Sequence, residues 1–157
     1  MTKHALPIAL LIALALEGCA PKTATAAAAK DFSTCPAAKP AMEVMDTFMT
    51  AFNAKDMPAL EKTFHFPHMR IAAYPLTVWT GPGQQDDVFG NLASEGWARS
   101  RWDERTIVQC GKDKAHIIAT FARIHPDGTE YAKYDGFYVI ELRDGFWGIT
   151  VRSTFAP

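Results

Sequence analysis

Apolar residues recur at helical spacing between Pro40 and Phe52, where Met42, Met45, Met49 and Phe52 follow one another with Phe48 beside them. This spacing predicts an amphipathic helix packing one face on a core. Pro40 stands in its first turn, where a missing N–H costs nothing. Asn53 to Lys55 break the pattern, and Asp56 can cap a second helix with Pro58 in its first turn and Leu60 and Phe64 on one face. Pro67 is expected to end that helix, because proline drives the preceding residue out of the helical region. The period then shortens. His68 to Ala73 and Leu76 to Trp79 read as short strands about a bend at Tyr74-Pro75, and Gly81-Pro82-Gly83 reads as a turn. Val88, Leu92 and Trp97, with Phe89, predict a third helix from Gln84 to about Ala98, interrupted at Gly90 and Gly96.

The second half reads as strands. Arg101 to Gln109 alternates, and Ala115 to Ile124 is apolar on both sides, as in a strand covered on two faces. Pro126-Asp127-Gly128 and Arg143-Asp144-Gly145 are turns. They separate a long strand from Thr129 to Leu142 from a last one from Phe146 to Phe155. Strict alternation in the last strand places Trp147, Ile149, Val151 and Phe155 in the core and Phe146, Thr150, Arg152 and Thr154 on the opposite face. Helices first and an antiparallel meander afterwards indicate an α+β fold, with about three N-terminal helices packed on a curved antiparallel sheet.

Composition narrows the choice. A length of 157 residues with 48% hydrophobic and 21% charged residues suits one globular domain, and a net charge of -1 offers no field for nucleic acid. Lys3 and His4 precede an apolar run from Ala5 to Leu16. That run is shorter than the roughly 20 residues of a membrane-spanning helix and suits the core of an export leader. Leu16-Glu17-Gly18-Cys19 resembles a bacterial lipobox, with Cys19 as the lipidated residue and Glu17 departing from the pattern. Cleavage at Ala24-Thr25-Ala26 is the alternative, and would release a soluble exported protein. Residues 1–19 thus form a leader and 20–40, poor in large apolar side chains, a flexible tether to a domain spanning 41–157. The expected location is the periplasmic side of a bacterial membrane, lipid-anchored or soluble. Cys35 and Cys110 remain as a pair that either bridges or stays reduced.

Several features together look like the NTF2-like (SnoaL-like) superfamily. They are the amphipathic helix, the short second helix ending in Phe64-His65-Phe66-Pro67-His68, the third helix ending near Gly96-Trp97, and the closing segments Tyr138 to Leu142 and Asp144 to Ile149. The resemblance covers about Ala41 to Pro157 and implies a cone-shaped α+β barrel with a pocket between helices and concave sheet. It also implies a homodimer formed through the convex face. Its members include ketosteroid isomerases, dehydratases, polyketide cyclases and epoxide hydrolases, beside many that only bind. Arg101-Trp102-Asp103 loosely resembles the Arg-x-Asp pair of the epoxide hydrolase branch, which is too short a match to carry that activity over.

His65 and His68 are the most suggestive polar pair, and either suits an acid or base near neutral pH. As a metal site, His-x-x-His supplies two ligands and lacks a third, so no metal or cofactor is expected. Asp103 shares a strand face with Arg101 and is a candidate partner for a histidine; if Trp102 faces the core instead, both charges are solvated. Arg70, Trp79, Trp97, Trp102, Asp135 and Tyr138 are candidates to line a ligand cavity. The preferred reading is an exported domain that binds a small apolar or amphipathic molecule without chemistry of its own. The alternatives are a lyase, isomerase or hydrolase using His65 or His68 with Asp103, and a periplasmic protein interaction module working through the convex face.

Overall fold

The computed structural model describes residues 30–72 and 76–156. The leader, Cys19, residues 20–29 of the expected tether and the Tyr74-Pro75 bend lie outside them. Helix α1 (Ala38–Asn53) buries Ala41, Met45, Phe48 and Met49 along one stripe. Its first residues lie inside the expected tether, and Ala37 just before it is fully buried. Cys35, also before α1, is joined by a disulfide to Cys110 at the end of β3 (Arg99–Cys110). The Ala37 N–H donates to the Gly111 carbonyl at 3.3 Å, so the segment entering α1 is tied to the sheet.

Helix α2 (Met57–Glu61) is capped by Asp56, whose carboxylate accepts from the Ala59 N–H at 3.0 Å. It ends sooner than expected. Strand β1 (Phe64–Ile71) starts at Phe64, so Pro67 sits exposed within a strand rather than at a helix end, after a cis Phe66-Pro67 bond. Strand β2 (Thr77–Trp79) pairs with β1, and helix α3 (Val88–Ser94) is half its expected length. Asp87 caps α3 by accepting from the Gly90 N–H, and Gly96 at φ +76° takes the left-handed conformation that closes it. Trp97 therefore lies on the approach to β3 rather than on the helix.

Strands β4 (Lys114–Ile124), β5 (Glu130–Arg143) and β6 (Phe146–Thr154) complete one six-stranded sheet of order β2-β1-β6-β5-β4-β3. The sheet is curved and does not close, since β2 and β3 are its free edges. Its pairings are antiparallel except β1 with β6, which run parallel. Asp144 and Gly145, both at positive φ, form the two-residue turn between β5 and β6, as a twisted hairpin requires. Helix α1 lies across the concave face, where Phe48, Phe64, Ile117, Tyr138, Ile140 and Ile149 form the core.

The alternation expected of β6 fails at one residue. Val139 pairs with Val151 but Ile140 pairs with Ile149, so Thr150 is an extra residue, a bulge. Ile149 faces inward, and Thr150 turns its hydroxyl to the Glu141 carboxylate at 2.7 Å on the outer face. Beyond the bulge the faces exchange. Arg152, opposite Tyr138, and Thr154, opposite Gly136, point to the concave side, at 9% and 7% exposure. Arg152 and Thr154 are thus not on the outer surface where strict alternation put them, and Phe155, expected in the core, is 83% exposed.

Candidate functional site

The bulge puts a guanidinium inside the cone. Between α1 and the concave sheet lies a cavity of about 70 Å³, which widens through an open mouth to about 510 Å³ of empty space in all. Phe48, Met49 and Phe52 of α1 form one wall, Trp102 of β3 and Phe121 of β4 another, and Val88 of α3 stands at the rim. Trp102 is held by its indole N–H, which donates to the Met45 carbonyl at 3.2 Å, and it meets Tyr138 edge to face at 5.7 Å. Ser100 is fixed by Asn53: the Ser100 N–H donates to the Asn53 side chain at 2.7 Å, and the Asn53 amide donates back at 2.8 Å.

Polar groups converge on this apolar frame. Arg70, Arg123 and Arg152 all line the cavity, with the hydroxyl-bearing Ser100, Tyr138 and Thr154, and no carboxylate is among the lining residues described. Arg123 is neutralised by Glu95, to which it donates at 2.7 Å, and its guanidinium lies 5.0 Å from the Tyr134 ring. Arg70 donates to the carbonyls of Ile71 and Ala156, at 3.1 and 3.3 Å. Arg152 lies over the rings of Phe48 and Phe64, at 5.4 and 5.6 Å, a stacking that favours a cation. Its Nε has no hydrogen-bond partner among the described residues, and neither has the Thr154 hydroxyl oxygen. Burial, reinforced by the charge of Arg70, lowers the Arg152 guanidinium to about 9. Burial raises the Tyr138 phenol to about 12, which keeps it a protonated donor at neutral pH.

Of the residues expected from sequence to line a cavity, Arg70, Trp102 and Tyr138 do so. Trp79 is buried instead against His68, with ring centroids 5.4 Å apart, and Trp97 packs on Phe52 at 5.3 Å while donating to the Ser100 hydroxyl. Asp135 points outward, accepting from Thr120 at 2.7 Å. The two histidines occupy opposite sides of β1. His68 is fully buried, stacked on Phe64 at 4.1 Å, and its Nδ1 donates to the Ile149 carbonyl at 2.9 Å. Nδ1 therefore carries the proton and Nε2 is a buried acceptor without a partner among the described residues. Burial, then Arg152, lowers His68 to about 3, so it stays neutral. His65 lies against Phe146 at 4.2 Å and donates from Nε2 to the Glu141 carbonyl at 3.0 Å.

Asp103 is not brought to either histidine. It lies on the outer face with Arg101, which donates to it at 2.7 Å, and with Lys133 at 2.6 Å. Trp102 faces inward, which is the arrangement that leaves both charges of the Arg101 and Asp103 pair in solvent. No group of three His, Cys, Asp or Glu residues arranged to hold a metal occurs among the described residues. Arg123, Arg152, Ser100 and Thr154 are the polar cavity residues that sequence reasoning missed. Arg152 and Thr154 were hidden by the bulge. Arg123 carried a signal as a lone charge near the end of an apolar strand, although the outer face of β4 is open rather than covered as expected, with Ile118 48% exposed.

Residues 38–154 match the model of a family described as NTF2-like protein (DUF6841), and the chain belongs to that family. No curated protein matches the chain. Among solved structures, one of a protein of unknown function with a cystatin-like fold from Nostoc punctiforme aligns at TM-score 0.61 and 14% identity, over 74% of this chain and 87% of that one. An NTF2-like protein of unknown function from Pseudomonas putida aligns at TM-score 0.61 and 12% identity, over 78% of this chain and 89% of that one. A ketosteroid isomerase-like protein from Erwinia carotovora aligns at TM-score 0.55 and 18% identity, over 76% and 96%. Identities this low establish a shared fold and leave activity to the site itself.

Proposed function

We propose that this NTF2-like domain binds a small amphipathic molecule in the cavity between α1 and the concave sheet, without chemistry of its own. The observation that carries the reading is an aromatic-walled cavity into which buried, unpartnered polar groups point, Arg152 foremost. A buried polar atom without a partner costs stability, and a ligand that completes its bonding offsets that cost. Acid–base chemistry lacks support here: the cavity lining holds no carboxylate, and His68 is held neutral behind Phe64 rather than poised near pH 7. Export to an oxidising compartment is proposed on the apolar run from Ala5 to Leu16 and on the Cys35–Cys110 bridge.

Native mass spectrometry of the full chain purified from its own host, beside a denatured run of the same sample, tests the binding reading. A small molecule released only on denaturation is the expected result. An empty protein whose melting temperature is also unmoved by a panel of fatty, aromatic and steroidal compounds overturns it.

A further inference from the structure

The charges inside the cavity are all of one sign, and they differ in how far they are compensated. Arg123 has Glu95; Arg70 and Arg152 form no ion pair with any described residue. Arg152 matters most. It is nine-tenths buried, it is held between aromatic faces, and its Nε–H is unsatisfied. A desolvated cation without a counter-charge is among the costliest features a fold can carry, and stacking on Phe48 and Phe64 recovers only part of that cost. Arg70 adds a second positive charge to the same cavity, and that charge lowers the affinity of Arg152 for a proton. The neutral donors alongside, the Tyr138 phenol and the Thr154 and Ser100 hydroxyls, suit an oxygen acceptor.

Resting on the binding reading above, we infer that the occupant is an organic anion, a carboxylate joined to a flat apolar body. Arg152 and Arg70 take the carboxylate, and Phe48, Trp102 and Phe121 enclose the body. The planar guanidinium fork matches a carboxylate, and such charge-assisted bonds strengthen away from water. The aromatic lining of Phe48, Trp102 and Phe121 favours a ring system over a compact inorganic ion, which would bury none of that apolar surface. Because Arg123 is already paired, the cavity presents two uncompensated charges rather than three.

The test compares acids with their uncharged counterparts on the full chain. 2-Naphthoate and deoxycholate are titrated by calorimetry, each beside its methyl ester, into wild type, Arg152→Met, Arg70→Gln and the outer-face control Arg101→Met. At least one acid should bind wild type about tenfold or more tighter than its ester. Arg152→Met should erase that preference while keeping the ester's affinity, Arg70→Gln should reduce it, and Arg101→Met should leave it unchanged. Should Arg152→Met fail to fold, the preference of wild type and its loss in Arg70→Gln still decide. Equal binding of acid and ester by wild type overturns the anion inference and leaves the pocket reading standing. Binding of neither overturns both, and a preference that survives in Arg152→Met while vanishing in Arg101→Met assigns the anion to the outer face instead.

Discussion

The two faces of the one sheet treat charge in opposite ways. On the outer face Arg101, Asp103, Glu130 and Lys133 form one network of opposite charges across β3 and β5. Arg101 bonds Asp103 and Glu130 at 2.7 Å each, and Lys133 bonds Asp103 at 2.6 Å. Lys114 meets Glu141 at 2.6 Å, and Glu141 also accepts from Thr150. On the inner face Arg152 and Arg70 are set among aromatic rings with no described acid to answer them. Pairing on the outside costs the chain little and contributes little, because water screens both partners. Isolation on the inside costs a good deal and contributes nothing to the folded chain alone. A fold that neutralises its charges where neutralising matters least, and leaves them bare where it matters most, has its inner face arranged for something other than stability.

The largest way to break this contrast is to remove the inner charge. Arg152→Met keeps an unbranched apolar stem of similar reach over Phe48 and Phe64. The lowering of the guanidinium from 12.5 to about 9, by burial and then by the charge of Arg70, corresponds to a cost on the order of 4 to 5 kcal/mol at neutral pH. Lost stacking returns part of it. The ligand-free variant should therefore be more stable than wild type by about 1 to 4 kcal/mol, as happens when buried ionic groups give way to hydrophobic ones. Urea unfolding at pH 7 reads it, and a variant less stable than wild type would mean that Arg152 stabilises the fold and that the inner face is not frustrated.

Much of this was legible beforehand. The α1 stripe, the Asp56 cap, the two hairpin turns and the long strands follow from periods and turn chemistry that act locally. The cavity's charge was not legible, because it depends on one inserted residue. Thr150 is an unremarkable strand residue, yet bulging there sends Arg152 and Thr154 to the face opposite the one alternation assigns. Pattern reading singled out Arg70 alone among the cavity's arginines, and it searched for chemistry among His65, His68 and Asp103, which the sheet holds apart. The end of α2 was missed for a tertiary reason: Phe64 gains more on a strand, packed with Phe48 and His68, than as the last residue of a helix.

The second contrast concerns pH. His68, held neutral beside Arg152, has a folded value near 3 against 6.5 in the unfolded chain. Between those limits the unfolded chain takes up a proton that the folded chain refuses. The stability this group contributes is complete above pH 6.5 and is lost as pH falls toward 3. Going from pH 7 to pH 5 should cost about 2 kcal/mol through this one residue. His68→Asn keeps a donor for the Ile149 carbonyl and removes the titration, so its unfolding free energy should fall by that much less over the same interval. Equal losses in the two proteins would place the acid sensitivity elsewhere.

The smallest effect belongs to the outer face, and its smallness is what makes it informative. Asp103 is held below the usual carboxylate range by its bonds to Lys133 and Arg101, yet the network is open to water and its members screen one another. Asp103→Ala should shift stability by no more than about 1 kcal/mol, and the shift should shrink further in molar salt. Glu130 remains to answer both Arg101 and Lys133, at 2.7 and 3.5 Å, so the two cations are not left bare. Affinity for a carboxylate ligand should not change, because Asp103 and the cavity are on opposite sides of β3. A large loss of binding in this variant, with folding intact, would move the site to the outer face and restore Asp103 as a functional residue. An unchanged affinity beside the loss expected of Arg152→Met would locate the two kinds of charge, paired and unpaired, on the two kinds of face.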